Sequence, residues 1–145
     1  MLKAGCLIIS LWAILNLLAS LFVVLIPVLI SNESAPALLE SLSKDLIVGI
    51  NQQVLANANS IAVFANVLNI AISISLLFIV WFGLFKKLKW SFVAVVIILS
   101  LMLASGFFAD HVSRNNHTWV NFVSGAIMCI GLLFSAIGIF KPKHA

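Results

Sequence analysis

The stretch Asn59 to Phe85, NSIAVFANVLNIAISISLLFIVWFGLF, decides how the rest of the chain is read. Its Asn59, Ala62, Asn66, Asn69 and Ser73 recur at steps of three and four, which places them on one side of an α-helix whose other sides carry Ile, Val, Leu and Phe. A helix of this length and composition suits a membrane span, and its polar seam must face protein or water.

Composition supports that class. The chain of 145 residues is 63% hydrophobic and 8% charged, with a mean hydropathy of +1.24, so it has too little polar surface to cover a soluble globule. The basic balance, a formal net charge of +4, does not describe a nucleic-acid surface. Its lysines flank apolar runs instead of lining a polar face.

Outward from the seam, three more spans can be marked. Residues 4–30 form a nearly unbroken apolar run with Ser10, Asn16 and Ser20 as polar guests. Its roughly 27 residues would cover about 40 Å, so it crosses with tilt or projects beyond the hydrocarbon. It is about twice the length of a typical signal-peptide apolar region, and no cleavage signature precedes a soluble domain, so it is expected to be retained. Residues 91–109 and 119–140 are the third and fourth spans, and the second covers 59–85. Lys86, Lys87, Leu88, Lys89 and Trp90 make a tight link between antiparallel helices.

Two polar segments lie between spans. In residues 31–58, Ser34 and Pro36 suit a helix start. Leu39, Leu42, Leu46, Ile50 and Val54 then recur at helical spacing, with Gly49 as an interruption. This is an amphipathic connector whose apolar side rests on the membrane or the helices. Residues 110–118, DHVSRNNHT, form a second short loop. Its Asp110, His111 and His117 lack a recognised metal-ligand spacing, and if the loop continues the third helix an i,i+4 pair of Asp110 with Arg114 accounts for two of its charges. Sequons at Asn32 and Asn116 matter only where a host glycosylates.

Lysine placement sets the orientation. With the N-terminus cytoplasmic, Lys3, Lys86, Lys87, Lys89, Lys141 and Lys143 fall inside, and only Lys44 and Arg114 outside. All four acids, Glu33, Glu40, Asp45 and Asp110, also fall outside. This asymmetry predicts both termini in the cytoplasm, in a plasma membrane or a bacterial inner membrane.

The fourth span repeats the pattern of the second: Asn121, Ser124, Met128, Gly131, Ser135 and Gly138 step by three and four. Small residues on one face let membrane helices approach closely. Cys6, Ser10, Ala13 and Ser20 make a comparable strip on the first span, with Asn16 beside it. Asn16 falls near the bilayer midplane, Asn69 and Ser73 within about one turn of it, and Asn66 and Asn121 in the outer half. These amides and hydroxyls can meet inside a bundle.

The candidate helix-packing or pore-lining residues are therefore Asn16, Asn66, Asn69, Ser73, Asn121, Ser124, Gly131, Ser135 and Gly138. No Asp, Glu, Lys, Arg or His sits within a span, which argues against a proton relay, a voltage sensor or an ion-coupled carboxylate. No phosphate-binding glycine loop, CxxC pair or HExxH is present. No catalytic residue, cofactor or metal site is expected.

The expected fold is an all-α integral membrane protein, a bundle of four transmembrane helices with an amphipathic segment in the first outer loop. The expected function is non-enzymatic: a small multi-pass protein that packs with itself or with a larger membrane partner as a structural or accessory subunit. The alternative is a passive channel or carrier for a small solute, lined by the Asn and Ser residues within the spans. Cys6 and Cys129 should not pair, because they differ in depth by roughly 16 Å in upright helices.

The lysine asymmetry can be tested with reporter fusions. Fusions after Lys143 and within Lys86 to Lys89 should report cytoplasm, and fusions near Lys44 or Asn115 the opposite side. An outside signal from the Lys86 turn would overturn the topology.

Overall fold

A computed structural model describes residues 1–25, 52–113 and 118–140. Helix α1 runs Leu2–Ala19 and passes into a π-helical stretch, Ser20–Leu25. Helix α2 runs Gln52–Phe78 and passes into a second π-helical stretch, Ile79–Leu84; α3 is Lys89–Ser113 and α4 is Thr118–Phe140. The described residues are all-helical, and four segments are long and apolar enough to cross a membrane: Leu2–Phe22, Val63–Leu84, Lys89–Phe108 and Trp119–Phe140. They fall on the four expected spans.

Two boundaries differ from expectation. Residues 52–58, placed in the first outer loop with the amphipathic segment, are helical and continuous with the second span, so Val54 lies on α2. Likewise α3 continues through Asp110, His111, Val112 and Ser113, which were expected to be loop. The physical reason is the same in both places. Neither segment contains Gly or Pro, and a helix already nucleated by a long apolar run extends into polar sequence at little cost. The rest of the amphipathic segment, including Pro36 and Gly49, lies outside the described residues, as do Arg114, His117, both sequon asparagines and the lysines at 44, 141 and 143.

Helix α3 contains Val93, Val95, Val96, Ile97 and Ile98, a run that in water would favour a strand. In hydrocarbon an isolated strand leaves its backbone groups without partners, whereas a helix satisfies them within the segment. Helix α3 forms over this run all the same.

The chain divides into two compact units, one of residues 1–14 with 74–145 and one of residues 15–73. In the first unit, α3 packs against α4 and against the π-helical stretch that ends α2. Its core is Cys6, Ile9, Ala13, Leu76, Val80, Leu84, Val95, Leu99 and Met128. On α3, Ser91, Val95 and Leu99 are buried at four-residue steps while Val93, Ile97 and Leu101 face outward, the one-sided burial expected of a helix packed along a single stripe.

Helices α1 and α4 run antiparallel, with Leu2 against Gly138, Gly5 against Ser135 and Ile9 against Gly131. A Cβ on Gly5 would lie 2.7 Å from the carbonyl oxygen of Gly131, so the two backbones pass with no room for a larger residue. Helices α3 and α4 are also antiparallel, joined by edge-on ring contacts of Phe92 with Phe140 and of Phe107 with Phe122, at 5.7 and 5.2 Å between centroids. The start of α1, the start of α3 and the end of α4 thus share one end of this unit. Lys3 and Lys89 sit there, exposed, with Lys86 and Lys87 in the turn that leads into α3.

That turn is closed by backbone geometry. The Lys87 N–H donates to the Leu84 carbonyl at 2.9 Å and the Leu88 N–H to the Gly83 carbonyl at 3.1 Å. Lys87 itself has φ 63°. These are the bonds and the left-handed residue of a Schellman helix end, a position that favours glycine. Gly83 also faces Ser91, whose Cβ would be 2.5 Å from a Cβ added at Gly83, so the hairpin closes over a small-residue contact.

Lys87→Gly should therefore stabilise the protein by about 1 kcal/mol by relieving the left-handed strain. Lys86→Gly, at a residue with negative φ, should destabilise it by about 0.5–1 kcal/mol. Unfolding by detergent titration measures both, and equal effects at the two lysines would contradict the assigned cap.

Candidate functional site

The second unit, residues 15–73, holds the end of α1 with its π-helical extension, and α2 up to Ser73. The most polar contact among its described residues is a cluster of two amides and two hydroxyls. The Asn16 amide nitrogen donates to the Asn69 side-chain oxygen at 3.0 Å and to the Ser73 hydroxyl oxygen at 3.0 Å. In return, the Asn69 amide nitrogen donates to the Asn16 side-chain oxygen at 3.4 Å and to the Ser20 hydroxyl oxygen at 2.9 Å. Ser20 and Ser73 are buried, and the two asparagines are half-buried.

Helical spacing produces this arrangement. Asn16 and Ser20 are one turn apart on α1, and Asn69 and Ser73 are one turn apart on α2. The ladder pairs Asn16 with Ser73 and Asn69, and Ser20 with Asn69, so the two helices are antiparallel here. Each amide nitrogen carries two hydrogens, and all four make a bond within the cluster. A passing solute would have to break one of these bonds to gain an amide donor.

Of the other expected residues, Asn66 is half-buried one turn from Asn69 on α2. The α4 residues lie in the first unit. Asn121 and Ser124 are half-buried, and the Asn121 side-chain oxygen is 2.8 Å from where a Cβ on Gly106 would sit. Gly131 is buried against Ile8 and Ile9, Ser135 is buried against Gly5, and Gly138 meets Leu2. The expected small-residue face of α4 is thus the face that packs on α1 and α3.

Chemically the two units use different means. In the first, the hydroxyls of Ser10 and Ser135 are buried with no hydrogen-bond partner. At Ser135 what matters is small size, because the position faces Gly5. In the second, the polar groups themselves make the contact.

Gly5, Ser20, Gly83 and Gly106 were not among the expected site residues. Gly5 lies one position from the Cys6 strip, and the series Gly5, Ile9, Ala13 repeats every four residues, a spacing that could have revealed it. Ser20 had been placed on the α1 strip, but nothing in its own helix identifies Asn69 as its partner. Both cysteines are free, Cys6 buried and Cys129 exposed. Among the described residues no three His, Cys, Asp or Glu side chains gather into a metal-binding group. Comparisons with protein-family models, with curated proteins and with solved structures find no match to this chain.

The amide pair is suited to a double-mutant cycle. Asn16→Leu or Asn69→Leu alone strands the partner amide, which costs about 1–3 kcal/mol when buried. The double change removes both members and should cost clearly less than the sum of the singles, with a coupling of about 0.6–1.7 kcal/mol. Strict additivity in a detergent unfolding titration would show that the two amides do not act as a pair.

Proposed function

We propose that this chain is an integral multi-pass membrane protein, a four-helix bundle with cytoplasmic termini, in a plasma membrane or a bacterial inner membrane. It works by association and not by catalysis, packing with itself or with a larger membrane partner as a structural or accessory subunit. The observation that carries this reading is the closed amide cluster, in which all four amide hydrogens of Asn16 and Asn69 are engaged within the protein. An aqueous path would need some of those groups to face water.

The outward surface supports the same reading. Phe82, Leu101 and Leu133 are 61, 66 and 62% exposed, and an apolar surface of this kind belongs against lipid or against another protein. Exposed Lys3 and Lys89, with Lys86 and Lys87 in the adjoining turn, supply the cytoplasmic bias at one end. Trp81 and Trp90 are close to that end and exposed, where an aromatic ring with a polar edge anchors at the interface.

Single cysteines at Asn66 and Ser73, and at the outward positions Val67 and Phe78, separate packing from transport in a background lacking Cys6 and Cys129. A packed seam predicts that water-soluble maleimides label none of the four, and that protein purified in mild detergent has a mass above that of one chain. Labelling confined to Asn66 and Ser73 would establish a pore. A bare monomer without a co-purifying partner would refute association.

A further inference from the structure

A second feature of the first unit lies outside the amide cluster and outside the helix crossings. Phe92 of α3 and Cys129, Leu132, Leu133 and Ala136 of α4 line a cavity of about 310 Å³. Its lining has no charged or amide group. Cys129 and Leu133 are exposed, so it is a groove on the outward surface and not a sealed void. It exists because Cys129 and Ala136, two turns apart on one face of α4, are small, while Leu133 and Phe92 are large.

The groove has a basic end. Phe92 meets Phe140 edge-on at 5.7 Å, which puts it at the end of the unit where α1 and α3 start. Lys89 is one helical turn from Phe92 and exposed, and Lys3 is exposed at the same end. Lys87 is in the adjoining turn, whereas the Lys86 ammonium lies 6.0 Å from the centroid of the Phe82 ring.

We infer that this groove holds one acyl chain of an anionic phospholipid, with the headgroup phosphate held by the lysine rim. The inference rests on the reading of the chain as membrane-embedded. The wholly apolar lining suits a hydrocarbon chain, which needs no hydrogen-bond partner there. Charge limits the occupant further, because clustered lysines at a membrane interface attract anionic headgroups. A second apolar hollow, of about 140 Å³ beside Leu77, Phe78, Trp81 and Phe82, is smaller and offers less room for a chain.

Native mass spectrometry of the full chain in mild detergent tests this, with phosphatidylglycerol and phosphatidylcholine of identical chains titrated separately. Wild type should retain one phosphatidylglycerol at about tenfold lower lipid concentration than phosphatidylcholine. Ala136→Phe, and the milder Cys129→Leu, should lose the retained lipid of either kind while keeping wild-type helix content by circular dichroism. Replacing Lys86, Lys87 and Lys89 together with Gln should keep one lipid and abolish the preference. Retention of phosphatidylglycerol by Cys129→Leu at the wild-type level, or equal retention of both lipids by wild type, would overturn the inference. An alkaline carbonate wash of the source membranes separates the two failures. Release of the chain would refute membrane embedding itself, whereas a chain that stays embedded without discriminating lipids refutes the groove alone.

Discussion

Leu, Ile, Val and Phe make up much of the outward surface of the described helices, so an amide there needs a partner from a neighbouring helix, as Asn16 and Asn69 supply to each other. A serine hydroxyl has another choice: Ser91 and Ser105 donate to the backbone carbonyls of Leu88 and Met102, three residues back in the chain. The amides' need of partners is a constraint that selects which face of α1 and α2 packs, and the selection follows the sequence periodicity of three and four. Serines 10, 20, 73, 91 and 135 are buried alongside large apolar side chains such as Ile9, Leu76 and Leu99.

Two kinds of helix contact satisfy the constraint. Where Asn16 and Ser20 meet Asn69 and Ser73, donors and acceptors match one another. Such bonds contribute only about 0.6 kcal/mol each on average, so they fix register more than they hold the helices together. Where Gly5 meets Gly131 and Ser135, no bond forms, and attraction comes from dispersion between closely approached backbones. The unpartnered hydroxyls of Ser10 and Ser135 belong to this second kind. Serine there serves as a residue slightly larger than glycine, and its oxygen is a small liability accepted for its size.

The seam on α2 and the small-residue face on α4 were legible in the sequence because periodicity is a property of one helix at a time. Asn66, Asn69 and Ser73 mark their own face, as do Gly131, Ser135 and Gly138. What the sequence left unmarked depends on a second helix. Nothing within α1 says that Ser20 meets Asn69, and nothing within α2 says that Gly83 is small in order to admit Ser91. Helix also extends beyond the apolar runs that mark the spans, at residues 52–58 and 110–113. Polarity marks the edge of an apolar run and not the end of a helix.

The contact of α1 with α4 joins segments more than a hundred residues apart in the chain, whereas Asn16 and Ser20 meet Asn69 and Ser73 on α2, about fifty residues away. Ribosomal synthesis makes α2 before α4. The face of Gly5, Ile9 and Ala13 therefore lacks its partner in a growing chain for longer than Asn16 and Ser20 lack theirs. The helix is engaged in two stages, by hydrogen bonds early and by close packing late.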